Sequence, residues 1–290
     1  MTASRRILTF LLIPTLLICT ASAFANQKGW GNRPLVPELA KAPEEESDGA
    51  NSNPKSSGST KKREKWDAFR FISQSSKFIT MPKPPLPLPG ITKRPTKVYP
   101  GDLLWSSDSN ANVNRNLKFT FAPLDDVVMG GVSSSTFSKG RWTGTVSDSN
   151  SGGFVGIRST PFASAIDMNQ CQGVEIRLRG SRDNIFKAVV RDSTDFNGVC
   201  WTSTFGGSKG SGGLFANFSG KEKTEEYTVK IPFQELIPTI FARTVPGQKL
   251  RKGTIQAFQI AYSKFLFDGE LNPKFSLGDF ALDVLEVKAY

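Results

Sequence analysis

Two adjacent acids, Asp125 and Asp126, are the side chains in this 290-residue sequence whose type and spacing could do chemistry. Paired carboxylates are the equipment of a glycosidase, in which one acts as the acid and the other as base or nucleophile. Neighbouring residues of a strand point to opposite faces, so the two acids converge on one substrate only where the backbone turns. A structural use is therefore favoured, in which one carboxylate accepts backbone N–H bonds in the following turn or pairs with Arg158.

The histidine and cysteine content of the sequence excludes several kinds of catalytic and metal site. The sequence contains no histidine, which excludes a Ser-His-Asp site and a histidine-bound zinc. Cys19 lies in a leader segment, and Cys171 and Cys200 alone are too few for a four-cysteine zinc site. We expect these two to be buried free thiols, with a disulfide between them as the alternative. The residues thus assign no catalytic role, cofactor or metal.

Two glycine-centred motifs surround the acids: residues 125–135 read DDVVMGGVSSS and residues 150–159 read NSGGFVGIRS. Acids and glycine have low strand propensity. Their presence in a β-rich region therefore indicates that another structural or functional requirement places them there. Glycine allows tight backbone approach or positive φ. The candidate residues, for a structural or partner-binding role, are Asp125, Asp126, Met129, Gly130, Gly131, Ser133, Asn150, Gly152, Gly153, Phe154 and Arg158.

The elements that must position these residues begin after a basic leader and linker. Residues 1–100 hold 16 Lys/Arg and 7 Asp/Glu, a net charge of +9, whereas residues 101–290 hold 21 and 19, a net charge of +2. The excess positive charge therefore lies in the leader and linker and not in residues 101–290. We expect no direct contact with nucleic acid.

The first 23 residues have the pattern of a signal peptide. Arg5-Arg6 precede an apolar run, Ile7 to Cys19, that is too short to span a bilayer, and Ala21-Ser22-Ala23 is a small-residue cleavage site. The junction through Phe24 and Ala25 resembles the bipartite presequences of diatoms and related algae, in which phenylalanine begins a transit peptide into a complex plastid. We therefore predict a plastid protein peripheral to a membrane, with secretion or mitochondrial import as alternatives.

Residues 24–100 are predicted to be a transit peptide and a disordered linker rich in proline and serine. Trp66–Ile72 is a candidate short amphipathic helix, docked to a partner or to the domain, and Met81–Gly90 a polyproline spacer. The domain boundary is placed near Pro100.

Residues 101–290 are predicted to be all-β. Short alternating runs, such as Val174, Ile176 and Leu178, recur between turn residues at the spacing of a β-sandwich or barrel. Asn197-Gly198 predicts a hairpin turn, and Ser208–Gly213 a mobile loop. A one-residue slip in the alternation predicts a β-bulge at Val284-Leu285.

The two glycine motifs, Gly144 and Ile231-Pro232-Phe233 occur in the order typical of the complex I intermediate-associated protein 30 family, which residues 101–290 resemble. The sequence departs from that family where Ser151 follows Asn150 in place of a second asparagine. The resemblance implies a jelly-roll β-sandwich of the galactose-binding-domain type. It also implies a non-enzymatic, chaperone-like assembly factor whose partners are subunits or assembly intermediates of a membrane oxidoreductase or photosynthetic complex.

A carbohydrate-binding module of a secreted or luminal protein is the alternative. Trp142, Trp201 and Phe205 would supply a stacking platform, and Asp192 and Asp195 polar contacts or a calcium ligand. Aromatic residues at strand spacing are more often core residues, and we predict that role for Trp201 and Phe205. The oligomeric state is not set by the sequence.

Overall fold

The chain folds as a two-sheet antiparallel β-sandwich. The computed structural model describes residues 67–78, 94–195, 197–207 and 225–290. In chain order the described residues form α1 (Ala68–Ser76), β1 (Thr96–Lys97), β2 (Leu103–Ser106), β3 (Phe121–Pro123), β4 (Ser134–Ser138), β5 (Arg141–Val146), β6 (Phe154–Ser159), β7 (Ile166–Asp167), β8 (Gly173–Gly180), β9 (Ile185–Arg191), β10 (Cys200–Gly206), β11 (Glu225–Pro232), β12 (Ile237–Ile240), β13 (Arg243–Thr244), β14 (Ala257–Ser263) and β15 (Gly278–Ala289), with 3₁₀ turns at Asp126–Met129, Ser149–Ser151, Phe233–Glu235 and Lys252–Thr254.

One sheet has seven strands in the order β13-β12-β10-β9-β14-β6-β3. The other has the order β11-β8-β15-β5-β4, and β2 joins it by pairing with β15. The two short strands β1 and β7 pair separately and in parallel. This architecture confirms the predicted fold class as an all-β sandwich.

The core lies between the two sheets and follows the predicted alternation. Val174, Ile176 and Leu178 of β8 point inward and are 4% exposed or less, because β-branched and apolar side chains at every second position share one face. A shift in the pairing of β15 with β8 falls between Val284 and Glu286, which confirms the predicted bulge. Asn197-Gly198 lies in the connection between β9 and β10, which pair antiparallel as expected of a hairpin.

The centre of the seven-stranded sheet is buried on both faces. Residues 186–191 of β9 and 257–262 of β14 are all buried, including side chains that face away from the core. The outward set includes two cations, Lys187 and Arg191, and the amide Gln259. The outer face of this sheet is therefore not a solvated surface.

Two elements before Gly101 pack on the sandwich. Helix α1 contacts the 3₁₀ turn Asp126–Met129, and β1 pairs with β7. The domain boundary near Pro100 stays a prediction. The predicted signal peptide (1–23), the segment 24–66, the polyproline spacer 81–90 and the loop 208–213 lie outside the described residues. Within the described ranges, no helix has the length and apolar character needed to cross a bilayer.

Candidate functional site

The two acids stand at the entry to a turn and not on a regular strand. Asp125 has extended backbone angles, and the 3₁₀ turn Asp126–Met129 follows directly. The turn ends at Gly130, whose φ of 93° is the left-handed conformation that glycine adopts without steric cost. The Gly131 N–H then donates to the Asp126 carbonyl at 2.9 Å. The backbone therefore turns at the acids, and both carboxylates become buried.

Asp126 joins the two glycine motifs. Its Oδ1 accepts a hydrogen bond from the Ser133 N–H at 2.9 Å. Its Oδ2 accepts from the Ser133 hydroxyl at 2.7 Å, from the Gly153 N–H at 2.9 Å and from the Phe154 N–H at 3.3 Å. The side chain is 1% exposed, so these partners replace water as the donors that a carboxylate requires.

Asp125 joins strand β4 to helix α1. Its carboxylate accepts from the Ser135 N–H at 2.8 Å, from the Ser135 hydroxyl at 2.5 Å and from the Gln74 side-chain amide at 2.8 Å. The Asp125 N–H in turn donates to the side-chain oxygen Oε1 of Gln74 at 2.9 Å. Complete burial raises the pKa of the Asp125 carboxyl, while the bonds from Ser135 and Gln74 lower it in part.

Small residues are required where the chain approaches Asp126. A Cβ added to Gly131 would lie 2.3 Å from Asp126 Cγ, and one added to Gly152 would lie 2.5 Å from Asp126 Oδ2. The motifs are also linked by Asn150, whose φ is 56° and whose side-chain amide donates to the Gly130 carbonyl at 3.2 Å. The glycines therefore allow close packing around the carboxylate.

Arg158 is not the partner of either acid. The cation beside Asp125 is Arg70, at 3.7 Å, whereas Arg158 Nε donates to the Gln259 side-chain oxygen at 2.9 Å. The Arg158 guanidinium also lies 5.6 Å from the centre of the Phe78 ring. The alternative in which a motif acid pairs with Arg158 is therefore wrong.

Arg158 belongs to a group of buried cations on the outer face of the seven-stranded sheet. Burial, and then the charge of Arg191, lower the pKa of Arg158 to about 10. Burial also lowers the pKa of Lys187 to about 8. Lys187 Nζ donates to the Leu266 carbonyl and lies 5.5 Å from the Phe267 ring.

The aromatic platform of the carbohydrate-binding alternative is absent from the surface of the described residues. Trp142 is 0% exposed, Trp201 5% and Phe205 7%, so all three are core side chains, as predicted for the last two. Asp192 accepts from the backbone and side chain of Arg251. Within the described ranges, no three His, Cys, Asp or Glu side chains are grouped as metal ligands.

Both cysteines are free, as predicted. The predicted burial is confirmed for Cys171 and is wrong for Cys200, which is half-buried. Burial raises the pKa of the Cys171 thiol, and Arg191 donates to the Cys200 sulfur. The disulfide alternative is therefore wrong.

The structure brings nine of the eleven candidate residues into one network, which we call the Asp125–Asp126 network. Its members are Asp125, Asp126, Gly130, Gly131, Ser133, Asn150, Gly152, Gly153 and Phe154. Arg158 lies outside it, and Met129 is 57% exposed at its edge. Gln74, Arg70 and Ser135 were missed. For Ser135 a signal was available, because Ser133 and Ser135 are spaced at the strand period after two acids.

The fold and the network define a β-sandwich in which two adjacent acids are buried and hydrogen-bonded to segments distant in sequence. Residues 112–284, more than half of the chain, match the family model described as complex I intermediate-associated protein 30. The chain belongs to this family, as the motifs predicted.

Two solved structures match part of the chain. One is the family 11 carbohydrate-binding module from Clostridium thermocellum in complex with a beta-1,3-1,4-mixed-linked tetrasaccharide, with 13% identity, 66% of this chain and 96% of that chain covered, and a TM-score of 0.35. The other is the family 11 module of the Clostridium thermocellum cellulosomal cellulase Lic26A-Cel5E, with 13% identity, 67% and 96% covered, and a TM-score of 0.38. No curated protein matches the chain.

Proposed function

We propose that this protein is a non-enzymatic assembly factor that binds subunits or assembly intermediates of a membrane oxidoreductase or photosynthetic complex. The observation that carries the proposal is the family match over residues 112–284. The family is one of assembly factors, and the proposal assigns the same role to this chain.

The chemistry of the site supports binding over catalysis. The Asp125 carboxylate accepts three hydrogen bonds from its own chain and the Asp126 carboxylate four, and both residues are 1% exposed or less. A general acid or base must reach its substrate, and these two groups reach only their own chain. The sequence also has no histidine, which is the commonest general base near neutral pH. We therefore assign the two acids a structural role.

The surface beside the network offers apolar side chains for a protein partner. Met129 is 57% exposed, and Phe69 and Ile72 on the adjoining helix α1 are 86% and 42% exposed. Exposed methionine and aromatic side chains are enriched at protein interfaces. Burial of such a surface supplies binding energy without any cofactor.

We also infer the kind of membrane complex that is the client. The signal-peptide pattern followed by Phe24 favours delivery to a complex plastid, and hence a thylakoid membrane complex as the client. The protein would act there as a peripheral factor.

Affinity purification of the tagged full chain from its native cells, followed by mass spectrometry, tests the proposal. We expect subunits of one membrane complex to be recovered. Met129→Glu should reduce that recovery and leave thermal unfolding unchanged, because the side chain is largely exposed. Leu277→Glu, at a comparably exposed apolar position of 52%, is the matched control and should change neither quantity. Recovery of glycans without any membrane-complex subunit would refute the assembly role.

A further inference from the structure

Helix α1 docks on the Asp125–Asp126 network through two residues one turn apart. Asp67 caps the helix, since its Oδ1 accepts from the N–H groups of Phe69 and Arg70 at 3.0 Å each. Arg70 and Gln74 are four positions apart and therefore share one helix face. Arg70 Nη2 donates to the Ser133 carbonyl at 2.7 Å, and Gln74 makes the two bonds to Asp125.

The groups of the network that bond Arg70 and Gln74 form a small surface with one hydrogen-bond donor and two acceptors. It consists of the Asp125 N–H, the Asp125 Oδ2 and the Ser133 carbonyl, and we call it the acceptor surface. The N–H and Oδ2 present one donor and one acceptor, which match the oxygen and nitrogen of a carboxamide. The carbonyl and the carboxylate together match a guanidinium.

Helix α1 combines the polar contacts of Arg70 and Gln74 with one buried apolar side chain, Phe71. Phe71 is 9% exposed, but Phe69 and Ile72 on the same helix are 86% and 42% exposed. Among the described residues, the large core cluster runs from Val98 to Ala289 and includes no residue of α1. A nine-residue helix is marginal in water by itself, so α1 depends on this docking for its stability.

We expect the acceptor surface to keep its shape without α1. The Asp125 carboxylate is also bound by the Ser135 N–H and hydroxyl, and Ser133 is held by Asp126. Loss of α1 would expose one N–H, one carboxylate oxygen and one carbonyl in positions fixed by other bonds. A second helix with the same two side chains would find the surface already organised.

We propose that the acceptor surface is a docking site for a client helix bearing arginine and glutamine four residues apart, and that α1 occupies this site in cis until the client displaces it. The inference rests on the proposed function and specifies its partner: an amphipathic helix of the pattern Arg-apolar-x-x-Gln, as in Arg70-Phe71-Ile72-Ser73-Gln74. The spacing provides specificity, because a lysine cannot reproduce the guanidinium geometry or a glutamate the donor of the carboxamide.

The test uses the full chain and a fluorescent peptide with the sequence of residues 65–80, followed by anisotropy. The Arg70→Ala/Gln74→Ala chain has lost the side chains that hold α1 and should bind the peptide at least tenfold more tightly than the wild-type chain. The same peptide carrying Gln74→Ala should lose that gain. The Ser73→Ala chain is the matched control and should behave as wild type, because Ser73 lies on the same helix and is exposed. Equal peptide affinity in wild-type and double-variant chains would overturn the inference.

Hydrogen exchange of the wild-type chain is a second test of the displacement of α1, and it does not depend on the folding of any variant. We expect the amides of α1 to exchange through local opening at least a hundredfold faster than those of β8 and β15. Equal protection would show that α1 leaves only when the whole domain unfolds, and would refute displacement. Peptide binding is measured without the membrane complex, so failure here with subunits still recovered by purification would overturn this inference and leave the assembly role standing.

Discussion

The Asp126 carboxylate accepts a hydrogen bond from the Gly153 backbone N–H at 2.9 Å, across 27 positions of the sequence. The same oxygen accepts from the Ser133 hydroxyl at 2.7 Å. Two motifs that look independent along the chain are therefore one structural unit. The pairing of acid, serine and glycine follows from the need of one buried carboxylate for donors.

Asp126→Asn is expected to destabilise the domain by about 3 kcal/mol, since the amide NH₂ would face the N–H groups of Gly153 and Phe154 and leave buried donors unpaired. Urea unfolding followed by tryptophan fluorescence measures the loss. Asp108→Asn, at an exposed turn, is the control and should remain within about 0.5 kcal/mol of wild type. Wild-type stability of Asp126→Asn would show that the network contributes little to the fold.

Gly131→Ala should cost more stability than Gly130→Ala, although the two glycines are adjacent. The new methyl at 131 would meet Asp126 Cγ at 2.3 Å, and Asp126 is anchored by four bonds, so we expect a loss of about 2–4 kcal/mol. At 130 there is open space, and only the positive φ resists alanine, at about 1 kcal/mol. Thermal and urea unfolding decide the order. Unchanged unfolding of Gly131→Ala with lost partner recovery would instead identify the glycine as a direct partner contact.

Lys187→Met should remove part of the pH dependence of stability. The pKa of Lys187 is about 8 in the folded chain, against the ordinary lysine value of 10.5 that applies when the chain is unfolded. Between these values the unfolded chain holds a proton that the folded chain has released, so the free energy of unfolding rises with pH. Below about pH 8 both states are protonated and the full cost of burying the charge remains.

The methionine variant should therefore be more stable than wild type by roughly 1–2 kcal/mol at pH 7, with the difference shrinking between pH 8 and 10.5. Urea unfolding across that range measures it. Lys249→Met changes an exposed lysine and should keep the wild-type slope. A slope for Lys187→Met equal to that of wild type would contradict the assignment.

Residues 1–60 fused to a fluorescent protein should deliver it to the plastid of a diatom-like alga, because the signal pattern is followed by Phe24. Phe24→Ala should block import and leave the reporter at an earlier compartment. Ala25→Ser is a matched change beside it and should not. Fluorescence outside the cell with the unmodified leader would replace the plastid proposal by secretion.

Local pattern predicted the sandwich well, because strand alternation depends on neighbouring residues. Tyr227, Val229 and Ile231 alternate along β11, and the phase slip at Val284-Leu285 marks the bulge in β15. The family motifs could be recognised for the same reason, since each is contiguous in the sequence.

Contacts between distant segments were harder to predict. Gln74 and Asp125 are 51 positions apart, and a glutamine in a short helix has nothing in its own type that specifies a carboxylate partner. The burial of Lys187 and Arg191 was even harder to predict. A charged residue in an alternating strand is typical of a solvated face, whereas the structure buries that face, and alternation carries no information about what covers a sheet.

Strand β15 is the last strand in the sequence, yet it lies between β8 and β5 in its sheet. The pairs β4–β5 and β8–β11 can form earlier, but they have no common neighbour until residues 278–289 arrive. Closure of this sheet thus waits for the final segment of the domain to be released. The central pairing of the sheet therefore forms in a late step, between strands that are far apart in the sequence.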